Sequence, residues 1–177
     1  MNPSKIFYGW IITVGCFISL IVVFGMRLSF QVFFVALIDD FGWQRAETAG
    51  VFSISMVVFA LVSPYAGKLL DQWGSRRMFS IGAIFCAVGL IGSSLTTVQW
   101  HLYVWYGVIV SVGITILGLS NYAALVSRWF QEKRGLAVGL AFSGTGAGTF
   151  IIVPLTERWI TNWGWQWAMI AQGILML

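Results

Sequence analysis

MFSIGAIFCAVGLIGSSLTTVQWHLYVWYGVIVSVGITILGLSNYAALVS, from Met78 to Ser127, runs for 50 residues without Asp, Glu, Lys or Arg. A bilayer core about 30 Å thick takes roughly 20 apolar residues of helix. This stretch is therefore long enough to cross twice. Three shorter charge-free runs surround it: Phe7–Met26, Thr48–Gly67 and Gly135–Thr156, of 20, 20 and 22 residues. Each is long enough to cross once. Charged residues make up 9% of the 177-residue chain and apolar types 59%. A soluble domain carries about 25% charge, so this composition excludes an ordinary soluble fold. The net charge of +4 rests on only ten basic residues, which are placed for a membrane rather than for nucleic acid.

The pattern predicts an all-α membrane protein with helices over about 8–36, 48–68, 78–97, 102–126 and 134–155. A sixth begins near Trp165 and is still incomplete at Leu177. Asp39, Asp40 and Gly42 are read as closing the first helix. Leu69–Arg77, Ser127–Lys133 and Glu157–Gly164 are read as loops. Thirteen residues of helix span about 20 Å, too short to cross, so the expectation is a piece of a longer protein whose second half is absent. The apolar run at the N-terminus is too long for a cleavable signal peptide and no Ala-x-Ala site follows it, so it is read as a retained span. Short loops on one side carry Lys5, Lys68, Arg76, Arg77, Arg128, Lys133 and Arg134; the other side carries Arg45 and Arg158. That bias predicts a cytoplasmic N-terminus. Trp10, Trp43, Trp73, Trp100, Trp129, Trp159, Trp163 and Trp165 fall near helix ends, as interfacial indoles do. Cys16 and Cys86 lie inside apolar runs and read as small buried hydrophobes.

A weak repeat appears at an offset of 90. Phe52-Ser53 matches Phe142-Ser143, and Pro64 matches Pro154. Lys68 matches Arg158, Leu70 matches Ile160, and Trp73-Gly74 matches Trp163-Gly164. The two copies face opposite sides, which is the plan of an inverted repeat of three helices plus three.

Between the second and third spans stands Gly67-Lys-Leu-Leu-Asp71-Gln-Trp-Gly74-Ser-Arg76-Arg77. This resembles the loop motif of the major facilitator superfamily, Gly-x3-Asp-(Arg/Lys)-x-Gly-Arg-(Arg/Lys). Gln72 and Ser75 depart from it at usually basic positions. Gly67 would let helices approach, Gly74 would permit a tight turn, and Asp71 could pair with a cation. The resemblance implies a conformational latch of Gly67, Asp71, Gly74, Arg76 and Arg77. It also implies the fold of an N-terminal six-helix half. A second stretch runs Arg128-Trp-Phe-Gln-Glu132-Lys133-Arg134 into a helix bearing Gly135, Gly139, Gly144 and Gly148. Together with Gly9-Trp10 and Phe41-Gly42-Trp43, it resembles the monocarboxylate and oxalate/formate branch. The four glycines read as a close-packing face. They also partly match an antiporter motif, which has Pro where Thr149 stands.

Arg27 is the one charge inside an apolar span. With Phe24, Gln31 and Phe34 it shares a helical face, and a guanidinium beside an amide and rings suits a carboxylate. The other reading is that it snorkels to an interface. In the branch a Lys stands near this point, at Leu28 in a gapless match. Asn121 is a second intramembrane candidate, as substrate contact or as packing amide. His101, in a turn beside Trp100, reads as interfacial. No nucleophile–base pair, metal cluster or phosphate loop is apparent. The resemblance implies secondary transport of a small organic anion by alternating access. Export of amphipathic compounds, or a fragment that transports nothing, are the alternatives. The expected partners are the lipid bilayer, a small-molecule substrate and the second half, with no nucleic acid. No cofactor is expected beyond a coupling proton or counter-substrate.

Overall fold

A computed structural model describes residues 3–130 and 132–177, with side chains from Tyr8 onward. The Lys5 side chain, counted above towards the charge bias, lies outside the described residues. Six helices follow in order: α1 Pro3–Phe41, α2 Arg45–Trp73, α3 Ser75–Ser94, α4 Gln99–Ser127, α5 Arg134–Trp163 and α6 Trp165–Leu175. The described residues contain no strand. In lipid every backbone N–H and C=O must be paired within the chain, which leaves helices as the solution here. Five of the six are long and apolar enough to cross a membrane. Phe150, Leu61 and Ile174 are strongly exposed, as suits faces turned to acyl chains rather than to water.

Small residues hold the bundle. Gly144 and Gly148 of α5 lie against the backbone of Phe17 and Ile21 of α1, and Gly25 of α1 lies against Ile152 and the Gly148 carbonyl. Positions i, i+4 and i+8 on both helices thus make one seam, the close backbone approach that drives association where lipid offers no hydrophobic gain. Gly82, Gly89 and Gly92 of α3 receive Leu117, Val110 and Trp105 of α4, while Gly113 of α4 receives Cys86. Ser111 of α4 donates to Ser55 of α2 at 2.6 Å. Ser29, Ser93 and Thr115 satisfy their hydroxyls on carbonyls four residues back, at little cost in an apolar medium.

The connections differ from those expected. Leu69–Arg77 is not a loop: α2 runs to Trp73 and α3 starts at Ser75, with Gly74 alone between them. Likewise Glu157–Gly164 collapses to Gly164, between α5 and α6. Both glycines have backbone angles open essentially to glycine only, φ 80°, ψ 157° and φ 84°, ψ 162°. Each donates to the residue four back, Leu70 and Ile160. The charged residues assigned to loops simply continue the helices. The offset-90 repeat is thus structural, since α2 and α5 each contain a proline and end at the same Trp-Gly corner. Asp39 and Asp40 lie within α1 rather than beyond it. α3 ends at Ser94, before Thr97, and Leu95–Val98 leads into α4. Within α4, Tyr103–Val110 is π-helical and the helix breaks at Leu117–Gly118. Trp165, at the start of α6, is buried, and its indole donates to Asp40 at 2.7 Å and ties α6 to the end of α1.

Candidate functional site

Arg27 lies mid-helix. At 1.5 Å per residue it is about 29 Å from Tyr8 and about 21 Å from Phe41 along α1. Its guanidinium carbon stands 6.0 Å from the Phe24 ring centroid and 5.7 Å from that of Phe59 on α2. Two rings therefore flank the cation, an arrangement worth about 0.5–2 kcal/mol per contact. Among the described residues Arg27 has no carboxylate partner. A guanidinium within a span is costly unless an anion or water meets it.

One turn on, Phe30 stacks on Tyr106 of α4 with centroids 4.2 Å apart. The Tyr106 hydroxyl is buried with no partner among the described residues. Gln31 is exposed and lines an open groove of about 430 Å³ with Val32, Val35, Ala36, Asp39, Glu157 and Ile160. Asn121 is not gathered to this cluster. It is buried in α4 and its amide donates to the Ile116 carbonyl at 2.7 Å, an acceptor freed where α4 breaks at Gly118. The helix break therefore takes up one of the two N–H donors of Asn121.

A second polar group joins three helices. Thr156 of α5 lies 3.0 Å from the Ser29 hydroxyl of α1, and the Gln172 amide of α6 donates to Thr156 at 2.5 Å. All three are nearly inaccessible. Phe59, Tyr106 and this triad escape a reading by residue pattern. Gln172 carries the one usable signal, an amide within an apolar run; Phe59 carries none, since aromatics fill every span.

At the Tyr8 end of the bundle, Asp71 accepts from Arg128 at 3.3 Å, joining the α2–α3 corner to the segment after α4. Both side chains are more than half exposed, so the pair contributes about 0–1 kcal/mol. Arg76 and Arg77 are exposed in the first turn of α3, and Glu132 and Lys133 are exposed before α5. Arg134 donates to the Ser127 hydroxyl at 2.7 Å. Trp129 packs on Tyr8 and Phe130 on Trp10, with centroids 5.0 and 5.3 Å apart. A Cβ at Gly67, Gly135 or Gly139 would meet nothing within 4 Å among the described residues. The face of four divides because only Gly144 and Gly148 lie where α1 crosses α5.

The Major Facilitator Superfamily model matches residues 15–177. The chain is 32% identical over 170 residues to monocarboxylate transporter 13 of Rattus norvegicus, covering 96% of this chain and 40% of that protein. It is 31% identical over 176 residues to monocarboxylate transporter 12 of Homo sapiens, covering 99% and 34%. Monocarboxylate transporter 14 of Homo sapiens is 30% identical over 170 residues, covering 96% and 33%. The chain spans about a third to two fifths of the length of these relatives. With its helices, its loop motif and a model match over nearly its whole length in agreement, this integral membrane chain belongs to the Major Facilitator Superfamily.

Proposed function

We propose that the chain forms one half of a secondary transporter that carries a small organic anion by alternating access, with Arg27 as the cation that meets the substrate's carboxylate. The observation that carries this reading is the placement of Arg27: within α1, between the Phe24 and Phe59 rings, and without a carboxylate partner among the described residues. Such a guanidinium has unused donors in a bidentate fork. Gln31, one turn further along α1, offers an amide on the route to the Phe41 end. The relatives' names point to monocarboxylates. A second half would complete the site at the midplane, and a proton or counter-substrate would drive the flux. The charge bias supports a cytoplasmic N-terminus. It puts the Asp71–Arg128 pair and the Gly74 corner on the cytoplasmic face, where they would act as the latch between conformations.

The test is uptake of labelled short-chain carboxylates by the full-length gene product in liposomes. Arg27→Gln keeps much of the side-chain volume and removes the charge. Its expected effect is a loss of about tenfold or more in kcat/KM, and Arg27→Lys should restore part of it, since a point cation replaces the fork. Unchanged carboxylate uptake in Arg27→Gln would remove Arg27 from the substrate site.

A further inference from the structure

The described charges are sorted sharply by end. At the Tyr8 end, Lys68, Arg76, Arg77, Arg128, Lys133 and Arg134 face only Asp71 and Glu132; all eight are exposed. At the Phe41 end the balance reverses, with Arg45 and Arg158 against Asp39, Asp40, Glu47 and Glu157. The fold brings two basic corners together that are far apart in sequence. The Asp71–Arg128 contact spans 57 residues and joins the Gly74 corner to the segment leading into α5. That contact occupies Arg128 and leaves Arg76 and Arg77 on one corner and Lys133 and Arg134 on the other. Each corner also carries an exposed indole, Trp73 at 49% and Trp129 at 41%. Indoles favour headgroup depth, where neighbouring cations would meet lipid phosphates.

We propose that this rim binds the phosphate headgroup of an anionic phospholipid, with Arg76 and Arg77 approaching from one corner and Lys133 and Arg134 from the other. Clustered basic residues beside a membrane span attract anionic lipid in this way. The rim sits outside the bundle interior, and the proposal stands whether or not Arg27 meets a substrate. Asp71 belongs to the prediction too. Its carboxylate both repels the phosphate and holds Arg128, so Asp71→Asn should raise affinity.

The full chain in neutral detergent is titrated with phosphatidylglycerol, with phosphatidylcholine, or with inorganic phosphate. Retained lipid is read by native mass spectrometry and thermal unfolding by circular dichroism. Phosphatidylglycerol should be retained and should raise the unfolding midpoint, while the other two should do neither. Arg76→Gln with Arg77→Gln should weaken phosphatidylglycerol binding about fivefold per charge removed, as should Lys133→Gln with Arg134→Gln. These positions are exposed, so helicity should not change. Arg45→Gln with Arg158→Gln, at the opposite end, should leave the preference intact. Three results would overturn the proposal: equal retention of phosphatidylcholine, an equal shift from inorganic phosphate, or an equal loss from the Arg45/Arg158 pair. The first would mean no headgroup selectivity, the second a free-anion site, and the third attraction by overall charge.

Discussion

Gly148 has the Ile21 backbone where a side chain would go, and Gly144 has the Phe17 carbonyl oxygen 2.5 Å from its missing Cβ. Backbone cannot rotate aside as a side chain can. Gly148→Ala must push α1 and α5 apart along the whole seam. The expected cost is about 2 kcal/mol or more, in the range for overpacked cores, read as a lower thermal unfolding midpoint in detergent. Gly139→Ala, two turns nearer the start of α5, adds a methyl to open space and removes a flexible residue from a helix. It should be neutral, or stabilising by up to about 1 kcal/mol. The sequence presents these glycines as one face. What separates them is where α1 approaches α5, a relation between two segments more than 120 residues apart.

On the scale of elements, the two single-residue corners govern the topology. Gly74 and Gly164 each end one helix, begin the next, and hold φ near +80° with an extended ψ. A Cβ there costs about 1–3 kcal/mol whatever space surrounds it. Gly74→Ala and Gly164→Ala should each destabilise by about that amount in thermal or chemical unfolding, even though Gly74 has nothing within 4 Å. A neutral effect at either corner would mean the turn relaxes to another conformation. The Trp-Gly pair and the proline ten residues earlier made this repeat legible. The helix ends were not, because Lys68, Asp71, Glu157 and Arg158 read as loop charges. Outside the hydrocarbon a charged residue is as welcome on a helix as in a loop, so composition marks where the membrane stops and not where the helix does.

At the scale of the whole molecule, Asp71–Arg128 is the single ion pair among the described residues. A double-mutant cycle with Asp71→Asn and Arg128→Gln should give a coupling in folding stability of no more than about 1 kcal/mol, since both partners are solvated. A much larger coupling would mean the pair is drawn out of solvent in the folded protein. The sequence by itself determined that this chain is a bundle of membrane-spanning helices, because bilayer thickness converts a run of uncharged residues directly into a span. It also determined the repeat and the one cation inside a span. Tertiary structure alone decided that Phe59 stands over Arg27, that Asn121 serves a broken helix, that Trp165 turns inward to Asp40, and that two basic corners meet. The physical reason is common to all four. A span's existence depends on transfer from water to lipid, a sum over local residues. A side chain's partners depend on where another helix crosses, and that is set by close backbone contacts between segments far apart in the chain.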